Sequence, residues 1–325
     1  MPKQIKYMDS KAERKRERQR IGRLSDQRVT QGTKERYQHS LKEVAEFAGV
    51  STDRLLSMPG LDGILSDYIE RLWEDGDTKS VASYALAALQ FHQPTLKGQL
   101  RQSWRLLSLW NKLEQPRRAT PLDPKLLLGF AGVFLRWQWD DLAHLVVVGF
   151  CGLLRTGEMF QLRRQDVVLP RYGHQSAILF LHDTKTAQRN LLTQENVLIT
   201  EEMGIYSLRY LCKGKEPGDL LVETTAPRFR TLWKEVVQAL KLEGLNYLPY
   251  SLRRGAATSA YREGMGFDQL LAKGRWQHIA TARLYLDQSL QELAALTIPM
   301  AAEPLIRAAR TFFLAAKSGT RGGGG

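Results

Sequence analysis

Residues 167–199 interrupt an otherwise helical sequence pattern, and this interruption does most to define the fold. Three segments there have the branched, apolar character of short strands, and turn residues separate them around Tyr172-Gly173 and over His182–Asn190. The three segments are Val167–Leu169, Ala177–Leu181 and Leu191–Ile199. Elsewhere, apolar residues recur three and four positions apart, which predicts helices. The sequence therefore predicts a mainly α fold with one small antiparallel β-sheet.

A segment with two prolines divides the helical sequence into two predicted domains. Pro116, Pro121 and a basic pair interrupt any helical pattern, so we predict a linker at 116–122. Residues 30–115 form the first, helical domain. Its helices are predicted at Lys34–Phe47, at Gly63–Trp73, at Thr78–Phe91 and in a segment that ends before Pro116. The apolar face of this last helix is predicted to comprise Leu100, Trp104, Leu107 and Trp110.

The second predicted domain, 123–298, is helical and carries the small sheet. Its predicted helices are Pro124–Leu135, Asp141–Leu153, Glu158–Leu162, Arg228–Lys241, Leu252–Glu263, Phe267–Ala272 and Thr281–Leu296. Residues 299–325 comprise a short helix and a Gly-rich tail. This helix carries an apolar stripe of Leu305, Ile306, Ala309, Phe312 and Phe313. The stripe needs a partner surface, which belongs either to the same chain or to a neighbouring subunit.

The chain carries a net charge of +13, from 47 Lys and Arg residues against 34 Asp and Glu residues. Such a basic chain favours polyanions, and nucleic acid is the commonest of them, because neutralising phosphates releases counterions. Residues 1–29 form a basic arm that is predicted to be flexible or partly helical. A solvated tail, a DNA-contacting arm and a nuclear signal are all open interpretations of this arm.

Signals for secretion, membranes and metals are weak in this sequence. The amino terminus is rich in Lys and Arg and has no apolar run of the signal-peptide type. The most apolar stretch, Leu126–Leu154, is broken by charged residues and predicts two buried helices, not a membrane span. Cys151 and Cys212 belong to no Cys/His cluster with zinc spacing. We therefore expect an intracellular protein without a structural metal or a cofactor.

Four residues of the second predicted domain can together transfer a phosphodiester without a metal: Arg155, Lys185, Arg253 and Tyr285. Such a reaction needs cations on the non-bridging oxygens, a nucleophile, and an acid for the leaving oxygen. Arginines suit the first role, an activated tyrosine the second, and a lysine on a hairpin turn the third. Taken singly, an Arg-x-x-Glu motif is usually an exposed ion pair, and a tyrosine is usually part of the core.

Four motifs, in order, resemble the catalytic boxes of the tyrosine recombinases. Gly152–Glu158 resembles the first arginine box, and His182–Thr186 resembles the hairpin that carries the catalytic lysine. Tyr250–Thr258 resembles the second arginine box, which is usually written H-x-L-R-H. Gly274-Arg275-Trp276 is similar to the closing box, because Tyr285 follows the tryptophan by nine residues.

The resemblance implies a helical core-binding domain at 30–115, which clamps duplex DNA, and a catalytic domain at 123–298. It implies that Arg155, Arg253 and Trp276 bind the scissile phosphate and that Tyr285 attacks it. A 3′-phosphotyrosyl intermediate then forms, and Lys185 protonates the released 5′ oxygen without a metal or cofactor. The implied partners are double-stranded DNA and further copies of the chain, as a tetramer on DNA. The motifs look most like those of eukaryotic mobile-element recombinases, which implies a nuclear protein; in any other host it would be cytoplasmic.

Tyr250 departs from the family's pattern, because the family usually has His or Lys at this position. A phenol cannot act as a base in the same way, although its hydroxyl can hydrogen-bond a phosphate or relay a proton. Tyr250 therefore keeps open a domesticated DNA-binding protein with impaired catalysis. Two further alternatives also stay open: a DNA-relaxing enzyme of the type IB topoisomerase kind, and a regulator whose second domain is merely structural. The small residues that follow Arg254 predict close approach of this helix to a ligand or to another backbone.

Overall fold

The computed structural model describes residues 10–23, 28–115, 117–171, 173–182 and 194–319. Within these ranges the protein is mainly α-helical with one three-stranded antiparallel sheet, so the predicted fold class is confirmed. The chain divides into two compact units, Met1–Arg117 and Arg118–Gly325. The predicted catalytic Lys185 lies outside the described residues.

The first compact unit is helical throughout its described part. Its helices are α1 (Lys11–Ile21), α2 (Gln31–Phe47), α3 (Thr52–Leu56), α4 (Leu61–Glu74), α5 (Lys79–His92) and α6 (Arg101–Leu113). The predicted helices of this unit are confirmed to within a few residues. Its core consists mainly of leucine and alanine side chains from α2, α4, α5 and α6. Helix α1 contributes nothing to that core, because it contains no buried residue.

One side chain of α6 does not lie where the sequence predicted. Leu100, Leu107 and Trp110 are buried as expected, whereas Trp104 is 45% exposed. A helix turns by about 100° per residue, so Trp104 lies about 60° around α6 from Leu107 and at the edge of the apolar face. The prediction that Trp104 belongs to the core was therefore wrong.

The second compact unit contains the sheet and the remaining helices. Before the sheet come α7 (Pro124–Arg136), α8 (Asp140–Cys151) and α9 (Thr156–Met159). The strands are β1 (Val167–Val168), β2 (Ala177–His182) and β3 (Gln194–Ile199). After the sheet come α10 (Glu202–Cys212), α11 (Ala226–Ala239), α12 (Ser251–Arg262), α13 (Phe267–Gly274), α14 (Ile279–Arg283), α15 (Gln288–Leu296) and α16 (Glu303–Gly319).

Strand β2 lies between β1 and β3 and pairs antiparallel with both. Leu179 is opposite Val167 on one side and Val197 on the other. Residues alternate between the two faces of a strand, and Ala177, Leu179 and Leu181 accordingly face the core. The sheet therefore covers the same core as α7 and α8, whose side chains are mostly buried.

The helices of this unit differ from the predicted ones in three places. The predicted helix Glu158–Leu162 is instead the short α9, which begins just after Arg155. Helix α10 was missed because Gly204 weakens its helical pattern. A side chain at Gly204 would lie 2.7 Å from Ile199 Cγ2, so close packing on β3 requires the glycine. The predicted single helix Thr281–Leu296 is two helices, α14 and α15.

The terminal helix α16 packs against α7 of its own chain. A side chain on Gly132 would overlap the carbonyl oxygen of Ala309, so the two helix backbones come into direct contact. Ala309 and Phe313 are buried in this contact, whereas Phe312 is 44% exposed. The partner surface of the buried part of the apolar stripe is therefore supplied by the same chain. None of the described helices combines the length and apolar character that crossing a membrane requires.

Candidate active site

Arg155 lies at the start of α9, where its conformation is extended. Its Nη1 donates to Glu158 Oε1 over 2.6 Å, and its backbone N–H donates to Glu158 Oε2 over 2.7 Å. Glu158 is buried and Arg155 is partly exposed. The Arg-x-x-Glu motif is thus not the solvent-exposed ion pair that such a spacing usually forms on a helix. The carboxylate instead fixes both the backbone and the guanidinium of Arg155.

Arg253 is the most deeply buried cation of the site, with only 1% of its surface exposed. It lies on α12, and its guanidinium donates to the carbonyl oxygens of Leu153 and Gly274. Burial, together with the neighbouring Arg275 and Arg155, lowers the pKa of Arg253 to about 10. The guanidinium therefore remains charged at neutral pH.

Tyr285 lies between α14 and α15, close to Arg253. The guanidinium carbon of Arg253 is 5.5 Å from the centre of the Tyr285 ring and 5.0 Å from that of Trp276. The rings of Trp276 and Tyr285 are 4.6 Å apart between centroids. The Trp276 indole N–H is buried and has no hydrogen-bond partner among the residues that the structure describes. One cation and one unused donor thus lie beside the phenol.

The break in the helix at Tyr285 comes from contacts with α12. The Thr258 hydroxyl donates to the carbonyl oxygen of Tyr285 over 3.1 Å and accepts from the backbone N–H of Asp287 over 3.4 Å. Asp287 then caps α15 by accepting from the backbone N–H of Leu290. These contacts hold the backbone on both sides of Tyr285 to the helix that carries Arg253.

The hydroxyl of Tyr250 donates a hydrogen bond to the hydroxyl of Tyr285. Their ring centroids are 5.5 Å apart. Burial and the hydrogen bond with Tyr285 raise the pKa of Tyr250 above its usual value, so this phenol stays protonated. Tyr250 therefore contacts Tyr285 itself, a contact that the sequence did not predict.

Arg275 is a residue of this site that the sequence did not predict. Its Nη2 donates to Leu153 O over 3.0 Å and to Glu158 Oε2 over 2.9 Å, and its Nη1 lies 3.8 Å from Glu195 Oε2. Burial alone would raise the pKa of Glu158, but Arg275, the Arg155 backbone N–H and two further guanidinium groups lower it below its usual value. The only sequence signal was the position of Arg275 directly before Trp276.

Five of the six predicted site residues come together: Arg155, Tyr250, Arg253, Trp276 and Tyr285. The positive charges of Arg253 and Arg155 both oppose the rise in the pKa of Tyr250. The hydroxyl of Tyr250 in turn contacts the Tyr285 phenol. The sixth, Lys185, lies outside the described residues.

Several buried donors of the site find no hydrogen-bond partner within the described ranges: Nε of Arg253, Nε and Nη1 of Arg275, and the Trp276 indole N–H. Buried donors normally have acceptors, so an excess of them suits an anion with several oxygens. Among the described residues, no group of three His, Cys, Asp or Glu side chains is arranged to hold a metal ion.

No family model and no curated protein sequence matches this chain. Its structure is similar to that of the Tn1549 transposon integrase in complex with transposon right end DNA, with a TM-score of 0.58 and 13% sequence identity. That match covers 83% of this chain and 95% of the integrase chain. A second structure of this integrase, in complex with circular intermediate DNA, has a TM-score of 0.50 at 14% sequence identity. That match covers 81% of this chain and 98% of the integrase chain. The chain has the tyrosine recombinase fold. Within this recombinase fold, α9, α12 and the segment between α14 and α15 supply Arg155, Arg253 and Tyr285.

Proposed function

We propose that this protein is a tyrosine recombinase that cuts and rejoins DNA through Tyr285. The observation that carries the proposal is that Arg253 and Trp276 lie against one phenol, beside buried donors that have no hydrogen-bond partner among the described residues. Positive charge and fixed hydrogen-bond donors stabilise the transition state of phosphodiester cleavage, in which negative charge develops on the phosphate oxygens. The structural neighbours were solved in complex with DNA, which supports DNA as the substrate.

In the proposed reaction Arg155, Arg253 and the Trp276 indole hold the non-bridging oxygens of the scissile phosphate. The Tyr285 oxygen forms a bond to phosphorus while the bond from phosphorus to the 5′ oxygen breaks. The phenol releases its proton to water, and the 5′ oxygen gains one from Lys185. One phosphodiester is exchanged for another, so the phosphotyrosine conserves the energy of the broken bond. Attack by a 5′ hydroxyl from a partner duplex completes the exchange and releases Tyr285.

Exchange between two duplexes needs more than one subunit, so we propose that the protein acts as a homo-oligomer, a tetramer, on DNA. We also propose that the first compact unit is the core-binding domain. It would contact the duplex in addition to the catalytic domain.

The exposed side of α6 suits that contact, because three cations lie on the side of the helix opposite its core face. They are Arg101, Arg105 and Lys112, and all three are exposed. We expect the double variant Arg105→Ala/Lys112→Ala to weaken binding to duplex DNA and to reduce the slope of log K against log salt by about two. Fluorescence anisotropy at several salt concentrations measures both.

The matched control removes two exposed cations from other helices of the same unit, in Lys42→Ala/Arg54→Ala. This control should keep a salt dependence within experimental error of wild type. Equal losses in the two double variants would show that general charge, and not α6, sets the affinity.

The proposed chemistry is tested by trapping the covalent intermediate. A nicked duplex of randomised sequence lets the short 5′ fragment diffuse away, so that the protein remains attached to the 3′ end. We expect an adduct that survives denaturation, and peptide mapping should locate the DNA on Tyr285. DNA binding without any adduct would instead support a DNA-binding protein that has lost catalysis.

A further inference from the structure

Two residues of the site have left-handed backbone conformations that favour glycine. Leu153 has a φ of 46° and follows α8, and Arg275 has a φ of 56° and ends α13. Side chains with a Cβ are strained in this conformation, and such strain persists only where surrounding contacts hold it in place. Non-glycine residues in such conformations cluster at functional sites.

A single hydrogen bond joins these two strained turns. Arg275 Nη2 donates to the carbonyl oxygen of Leu153, which also accepts from Arg253 Nη1. Gly274, directly before Arg275, must lack a side chain because a Cβ there would overlap the Trp276 ring. The sequence thus has glycine at 274, where space requires it, and arginine at 275, where the backbone would prefer glycine.

The Arg275 side chain also determines how the two carboxylate oxygens of Glu158 are divided between hydrogen-bond donors. Glu158 Oε1 accepts from the Arg155 side chain, whereas Oε2 accepts from the Arg155 backbone and from Arg275. A buried carboxylate with Arg155 as its single cationic partner would draw that guanidinium fully into the ion pair. With Arg275 as a second partner, Glu158 can orient Arg155 while leaving charge for a phosphate.

We propose that Arg275 is a positioning residue that sets the two phosphate-binding arginines, Arg155 through Glu158 and Arg253 through the Leu153 carbonyl. This inference rests on the proposed function. Arg275 acts through its neighbours, so its loss should slow the formation of the phosphotyrosyl bond more than it weakens DNA binding.

The test compares Arg275→Gly and Arg275→Lys with wild type. Glycine relieves the left-handed backbone but removes the guanidinium, so we expect adduct formation to slow by about 30-fold while the Kd for nicked duplex changes by less than about 3-fold. Arg275→Lys keeps the positive charge but has a single donor nitrogen, so its adduct should form faster than that of Arg275→Gly and more slowly than that of wild type. The matched control is Lys241→Gly, because Lys241 is an exposed cation with a φ of 55° and lies outside the site. Its adduct rate should equal that of wild type.

A second measurement needs no catalysis. Hydrogen exchange followed by mass spectrometry should show faster exchange over residues 153–159 in Arg275→Gly, because the Arg155 amide is held by Glu158. If wild type forms no adduct but this exchange accelerates, the proposed function fails and the positioning contact stands. An adduct rate for Arg275→Gly within about 3-fold of wild type, or a loss matched by equal loss of DNA binding, would overturn the inference.

Discussion

Tyr285→Phe is expected to abolish the covalent protein–DNA adduct, with a rate loss of at least about 10⁴-fold, because phenylalanine lacks the nucleophilic oxygen. Phenylalanine keeps the ring that packs 4.6 Å from Trp276, so folding should change by only about 1 kcal/mol through the lost hydroxyl contact with Tyr250. DNA affinity should stay within a few-fold of wild type. Denaturing gels of the trapped adduct, together with anisotropy on the same duplex, measure the two effects separately.

The matched control for this prediction is Tyr261→Phe. Tyr261 is an exposed tyrosine on α12, the helix that carries Arg253, and its ring packs on Phe267 outside the site. Adduct formation should be unaffected in this variant. A residual adduct in Tyr285→Phe that maps to Tyr250 would contradict our assignment of the nucleophile, since the two hydroxyls are in contact.

Local sequence patterns predicted most of the secondary structure, because each helix or strand carries its own periodicity. The three strands were found by branched apolar residues alone, and the first-unit helices by apolar spacing. The run of small residues after Arg254 correctly predicted close approach to another backbone. The structure adds that this backbone is the segment at Leu122.

The features of the site that the sequence did not reveal depend on residues far apart in the chain. The helix break at Tyr285 needs Thr258, 27 residues earlier, and the role of Arg275 needs a carbonyl 122 residues earlier. No local pattern encodes such contacts. The packing of α16 on α7 was left open for the same reason, because an apolar stripe shows that a partner exists without showing which one.

The site also shows why order along the chain was informative when single motifs were not. Arg155 and Glu158 alone resemble an ordinary exposed ion pair. In the structure the pair differs from an exposed one because Glu158 is buried beside Arg275. Tyr250 shows the opposite case. Its difference from the family's pattern was visible in the sequence, but its contact with Tyr285 was not.

Gly255→Ala is expected to destabilise the second compact unit by about 3 kcal/mol, at the upper end of the usual cost of overpacking. Gly255 lies on α12, and a Cβ there would overlap the carbonyl oxygen of Leu122 and lie 2.7 Å from its carbonyl carbon. Neither group is a flexible side chain that can move aside. Leu122 is held in place because its backbone N–H donates to Ser251 O over 3.1 Å and Gln291 donates to its carbonyl over 3.4 Å.

The same substitution should also reduce activity, because α12 can relieve the overlap only by moving away from Leu122. Arg253 is two residues earlier on this helix, and its donors reach the fixed carbonyls of Leu153 and Gly274. A shift of about 1 Å would therefore misplace a phosphate ligand even in the molecules that stay folded. Urea denaturation measures the stability, and adduct formation at a temperature where the variant is folded measures the displacement.

Gly157→Ala is the matched control, because Gly157 is an exposed helical glycine at which an added Cβ would have no described atom within 4 Å. There the added methyl group meets only solvent and restricts the unfolded chain, so stability should stay the same or rise by up to about 1 kcal/mol. If Gly255→Ala proved as stable and as active as this control, α12 would not be held against the Leu122 backbone. The placement of Arg253 beside Tyr285, which depends on that contact, would then have to be revised.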